Sequence, residues 1–229
     1  MLGCDGCRAG WIGIAVASGQ VAAYVSGEIG ALVAAAEQDG PVDVVAVDIP
    51  IGLPDSGRRR ADELARARAG PRWASVFITP VRAAVERAVE AADYEAANAE
   101  NRRRAGEGIS RQAYALSEKI SQADRWVRRT RHKVVEVHPE LSFAEMAGGP
   151  LAHGKATWAG AALRRRALAA AGIVVPDDLG AAGGQAGVDD VLDAAAAAWT
   201  ARRVSEGIAR SLPGAPERFS DGIDCAIWI

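Results

Sequence analysis

The sequence predicts an α/β fold built on a sheet, and three observations point there. Residues 2–26 hold three short apolar stretches separated by tight, glycine-containing turns, the pattern of an antiparallel meander. Residues 42–48 form a nearly unbroken run, five of the seven being Val or Ala, which fits a strand covered on both faces. Between about residues 55 and 131 the chain turns to alanine, arginine and acidic residues without an evident strand, a helical composition. One domain spanning residues 1–229, with a helical insertion at about 55–131, is the organisation expected of 229 residues that are 49% hydrophobic and 24% charged.

Taken in order, the first strand begins at Leu2 and carries Asp5 just before the bend at Gly6. Ile12–Ala17 and Val21–Ser26 follow, joined through Ser18-Gly19-Gln20. Ile29–Gln38 reads as a helix because Ile29, Leu32, Val33 and Ala36 recur at three- and four-residue spacings. The fourth strand, Val42–Asp48, ends on a carboxylate, after which Pro50, Gly52 and Pro54 turn the chain away. In an open α/β sheet this carboxyl edge is where ligands bind, although a lone aspartate there also serves simply to cap the turn.

In the insertion, helices are expected over Arg59–Ala69, Val81–Ala91, Tyr94–Ala105 and Arg111–Arg129, the last capped by Ser110. Lys133–His138 is a short strand stopped by Pro139, with Glu136 and His138 on one face and Glu140 beyond the edge. Leu141–Ala147 and Trp158–Ala171 read as helices around a polar loop that carries Lys155, and 179–187 as a flexible connection. A long helix then starts at Val188 and runs towards Ile208, and alternation over Gly222–Ile229 suggests a closing edge strand.

A net charge of −2 and a pI near 6.0 give no global attraction to nucleic acid, so such binding must rest on local clusters. The runs Arg58–Arg60, Arg102–Arg104, Arg128–Lys133 and Arg164–Arg166 are read as solvated helix faces. No apolar run approaches the ~18 residues of a membrane span and the N-terminus reads as a strand, so a cytoplasmic protein with no membrane partner is expected. Three cysteines are too few for a disulfide framework, and Cys4-Asp5-Gly6-Cys7 lacks the second pair of a zinc site.

The chemistry lies in the acids. Separate segments each bring a carboxylate beside an apolar element: Asp5, Asp48, either Glu136 or Glu140, and Asp190 with Asp193. Asp190 and Asp193, three apart, share a helix face. Asp189 and Asp190 also suit a helix N-terminus for dipole reasons alone, an argument that does not extend to Asp193. If the first and fourth strands are neighbours, ~4.8 Å apart, Asp5 and Asp48 face one another across a space suited to a divalent ion. Hard oxygen donors of this kind favour Mg²⁺ or Mn²⁺.

The strings D-G-C-R-A-G-W at 5–11, V-D-I-P-I-G-L-P at 47–54, S-V-F-x-T-P-x-R at 75–82, G-I-S-R-Q-A at 108–113, E-V-H-P-E at 136–140 and D-D-V-L-D-A at 189–194 resemble the domain of unknown function 429 family. The resemblance covers nearly the whole chain in order, with Ile78 and Ala156 departing from the family's pattern. It implies a ribonuclease H-like fold: a mixed five-stranded sheet of order 3-2-1-4-5, helices on both faces, and the helical insertion after strand 4. It also implies a nuclease, with the first-strand acid falling on Asp5 and the fourth-strand acid on Asp48. The helix acids Asp190 and Asp193 are similar to those of Holliday-junction resolvases.

The leading expectation is therefore a metal-dependent nuclease acting on nucleic acid, in which Asp5, Asp48, Glu136 and Asp193 hold Mg²⁺ or Mn²⁺ and Asp190 is an auxiliary ligand or base. Arg8, Arg82 and Lys155 would neutralise phosphate, and His138 would carry a proton or remain structural. Two other readings are open. Sugar kinases and actin-like ATPases share a D-G-containing three-strand opening but repeat the fold in two lobes, which argues against a phosphotransferase. A non-catalytic binding module is separated from both enzymes by metal titration.

Overall fold

A computed structural model describes all residues, Met1–Ile229. In chain order the elements are β1 (Leu2–Cys7), β2 (Gly10–Ala17), β3 (Gln20–Ser26), α1 (Ile29–Gln38) and β4 (Val44–Val47). There follow α2 (Arg60–Ala69), a 3-10 turn (Gly70–Ser75), α3 (Arg82–Ala91), α4 (Tyr94–Ala105), α5 (Arg111–Ala115) and α6 (Ser117–Val127). Then come β5 (Lys133–Val137), α7 (Pro139–Ala147), α8 (Trp158–Ala170), α9 (Gly180–Gly183) and α10 (Val188–Ser205), and finally β6 (Ser211–Arg218) and β7 (Asp224–Trp228). Two compact units result, one of residues 1–48, 131–210 and 228–229, the other of 49–130 and 211–227. No helix is long and apolar enough to cross a membrane.

In the first unit the strands lie in the order β3-β2-β1-β4-β5. The meander β1-β2-β3 is antiparallel, whereas β4 pairs in parallel with β1 (Cys4 opposite Val47) and with β5 (Val47 opposite Glu136). Side chains alternate across these strands, and the two faces are covered differently. On one face α1 buries Ile29, Leu32, Val33 and Ala36, with Leu32 beside Gly13 and Leu2. On the other lies α10, twelve of whose residues are buried, as expected of a helix that is apolar nearly all round. Residues Ala194–Ala198 are fully covered and run over Gly3 of β1. A Cβ at Gly3 would stand 2.1 Å from both Ala194 O and Ala198 N, so only the missing side chain lets helix and strand backbones meet this closely.

The second unit is helical, with a core of Val81, Ala84, Ala88, Ala97, Ile109 and Ala113, and it contains the paired strands β6 and β7. Its polar interior is ordered by arginines. The fully buried Arg59 grips the carboxylate of Asp62, which also accepts from Thr79 N at 2.8 Å. Arg82 donates to Asp124 at 2.9 Å and to Asp221 at 2.5 Å.

Five expectations are corrected. Seven strands are present where five were expected, and β7, expected at the edge, has β6 beyond it. The addition without a sequence signal is β6, whose Ser-Leu-Pro-Gly-Ala-Pro stretch lacks β-branched residues and carries two prolines, tolerated because it pairs at a sheet edge. The helix expected over 111–129 breaks at Leu116, next to which the Ser117 hydroxyl bonds back to the Ala113 carbonyl. The connection at 179–187 contains the single turn α9. Finally, the basic runs are not all solvated, for Arg59 and Arg164 are buried, each against a carboxylate.

Candidate metal centre

Asp5, Asp48 and Asp193 come together by backbone placement. The pairing of Cys4 with Val47 puts Asp5 and Asp48 one step further along two adjacent parallel strands, and Asp48 N extends the ladder by donating to Cys4 O at 3.0 Å. Both side chains fall on the α10 face, as Gly3 does. Asp193 projects from the second turn of α10, one residue before the alanine that meets Gly3. One oxygen of each lies within 4.8 Å of the other two. Asp5 and Asp193 are buried and Asp48 is half-buried. Asp5 Oδ1 also accepts from Gly6 N at 2.6 Å.

Three carboxylates this close and this dry resist ionisation. Burial, with the charges of Asp48 and Asp193 adding to it, raises Asp5 well above the ordinary range. Asp48 is pushed up to about 7 by burial, opposed by Lys155 and assisted by Glu136 and Glu140. Burial likewise pushes Asp193 to about 7 against the pull of Lys155. The Lys155 ammonium sits 2.6 Å from Asp193 Oδ2 and 4.0 Å from Asp189. Although burial works against its charge, Asp193, Asp5 and Asp48 hold it above its usual range.

The remaining expected site residues take varied places. Asp190 accepts from Gly187 N at 3.1 Å and so serves the start of α10, while burial raises its carboxyl too. Glu136 is buried, but it stands level with Val47, so alternation turns it to the opposite sheet face from Asp5 and Asp48. Its charge acts on Asp48, and the third carboxylate of the cluster is Asp193. Glu140 is engaged by Arg164. The carbonyl of His138 accepts from Leu141 N and Ser142 N at the start of α7. Arg8 is exposed in the β1–β2 turn, and Arg82 belongs to the ion-pair network of the second unit.

Arg164 is the functional residue that sequence reasoning passed over. Fully buried on α8, it holds Glu140 of α7 and donates to His153 O at 3.1 Å, fastening the loop that presents Lys155. A signal existed, because Arg164 is four residues from both Gly160 and Leu168 on the covered face of α8.

These donors fit a hard divalent cation, being all oxygen, anionic and sequestered, with an ammonium already drawn to them. The raised carboxyls set a pH dependence. An aspartate titrates near ~3.9 when unfolded, so between about 4 and 7 the folded protein binds more protons than the unfolded one. Stability without an ion therefore falls as pH rises through that window, by at most about 1.4 kcal/mol per pH unit for each carboxyl. Melting in a chelator should drop from pH 5 to pH 8, and Mn²⁺ should raise it most at pH 8. A melting temperature that is flat or rises across this range would remove the strain inferred for the trio.

A family model described as "Protein of unknown function (DUF429)" matches residues 3–218. No curated protein and no solved structure matches the chain.

Proposed function

The chain belongs to the family of proteins of unknown function DUF429, and from that premise, which brings no reaction with it, we propose a metal-dependent nuclease. The observation that carries the reading is the convergence of Asp5, Asp48 and Asp193 at the carboxyl ends of two central strands. Acids on the first strand, the fourth strand and the last long helix, together with the strand order of the first unit, support a ribonuclease H-like fold. Mg²⁺ or Mn²⁺ held by the three carboxylates would activate a water and stabilise the leaving oxygen of a phosphodiester.

The chain's own groups have distinct tasks. Asp5 and Asp48 are held by the sheet, so their spacing is set before any ligand arrives. Asp190, three residues before Asp193, would orient a water at the edge of the trio. Lys155 has a flexible stem and can exchange Asp193 for a phosphate oxygen, one anion for another. Nucleic acid is the partner this arrangement would serve.

The test is calorimetric titration of the chain with Mn²⁺, beside cleavage assays on single-stranded, duplex and branched nucleic acids. Binding that releases protons near neutral pH, with cleavage that needs the ion, is the expected result. Absence of Mn²⁺ binding at millimolar concentration would end this reading, and binding without cleavage of any substrate would favour a binding module.

A further inference from the structure

Trp158 is 91% exposed, whereas Trp11 and Trp199 of the same unit are buried. Isolated apolar residues are common on protein surfaces and need no special cause. What sets this indole apart is its mounting and its neighbour. It opens α8 immediately after Thr157, whose hydroxyl accepts from Gly160 N at 3.0 Å and donates to Gly154 O at 2.8 Å. A Cβ at Gly160 would stand 1.9 Å from Gly154 O, so the turn lies flush on the helix. The buried Arg164 holds that turn by His153 O. The ring is thus carried on an ordered support and has no cation or ring stacked on it, unlike the part-exposed Trp73, which faces Arg66.

Three residues earlier, Lys155 reaches Asp193 of the trio. Three residues keep their Cα atoms within ~11 Å of one another, so a strand of a few nucleotides can reach both side chains. Resting on the nuclease reading of the trio, we propose that Trp158 is a stacking platform for an unpaired base of the strand whose phosphate meets Lys155, and that the substrate class is single-stranded nucleic acid. A base inside a duplex is stacked on both sides and offers no face to an indole, whereas an unpaired base does, whatever its identity. Lys155 is the cation a backbone phosphate would meet there, in exchange for Asp193.

The experiment measures binding by the full chain of a short fluorescent oligothymidylate, and of a matched duplex, by anisotropy, with Ca²⁺ replacing Mn²⁺ to suppress hydrolysis. Wild type should prefer the single strand. Trp158→Ala should weaken that binding by about five- to a hundredfold, the usual effect of removing one stacked aromatic, and Trp158→Phe should retain most of it. Mn²⁺ affinity and the thermal melt should be the same in all three proteins, which separates lost stacking from lost structure. Equal single-strand binding by Trp158→Ala, a preference for the duplex, or no oligonucleotide binding at all would overturn the platform. Wild type that binds through Trp158 yet cleaves nothing overturns the nuclease reading while supporting the platform. Cleavage that persists with Trp158→Ala binding undiminished overturns the platform alone.

Discussion

Replacing Asp48 by asparagine is expected to lower Mn²⁺-dependent phosphodiester cleavage by about a hundredfold to a thousandfold or more, with the fold intact. The amide keeps the shape and loses the charge. Asp48 stands where β4 ends, with Asp5 on one side and the charge of Glu136 reaching it from β5, and its carboxyl is pushed up to about 7 chiefly by burial. A group so placed is costly to keep as a carboxylate unless a cation uses it. Mn²⁺ affinity should fall by at least about tenfold in the same variant. Without an ion the sign reverses: at pH 8 one fewer buried charge is worth on the order of 1 kcal/mol, or about 2–4 °C in melting temperature for a chain of this size. If Asp48 only capped the turn at Pro50, asparagine would do nearly as well, and neither activity nor stability would move. Equal cleavage by the two proteins would remove Asp48 from the site.

The largest structural effect is expected at Gly3. An alanine Cβ there would meet backbone atoms of α10 at 2.1 Å, with Ala197 C at 2.7 Å, and backbone cannot rotate aside as a side-chain tip can. The helix must lift, opening contact along the alanine stretch that covers β1. A cost of about 3 kcal/mol, at the upper end for overpacking, would lower the melting temperature by roughly 6–12 °C. Because Asp193 immediately precedes Ala194, the same lift would draw it away from Asp5 and weaken Mn²⁺ binding in the protein that remains folded. Gly27→Ala is the comparison, since nothing stands within 4 Å of a Cβ there and the melt should barely change. If the two variants melt alike, close approach at Gly3 does not set the position of α10.

Asp5 and Asp48 were legible because each ends an apolar stretch on a carboxylate, a local pattern that needs no knowledge of pairing. Asp193 was legible because it lies beyond the first turn of its helix, where capping no longer accounts for an acid. Glu136 was misplaced for a reason of phase. Alternation within β5 shows which residues share a face, but only the register with β4 decides which face that is. Arg164 was hidden because its partner Glu140 is 24 residues away, and an arginine among arginines looks solvated until the other side of the pair is known. The partner of Arg59 is local, since Asp62 is only three residues further on, at helical spacing. Strand β6 stayed out of sight because prolines at a sheet edge look the same in sequence as prolines in a loop.

The chain's path through the first unit bears on the order of events during synthesis. Asp5 and Asp48 belong to its first 48 residues, but Lys155, the cation that faces the trio, is encoded 155 − 48 = 107 residues after Asp48. At the usual pace of about 5–20 residues per second, the ribosome delivers it roughly 5–20 s later. Through that interval the nascent segment has the two acids without the lysine, and also without α10, which starts at Val188 and covers the face on which they lie. The apolar run of β4 can therefore pair while the acids are still solvated, and the charge they carry has to be met, by a proton or a cation, only when α10 closes over them after the lysine has been made.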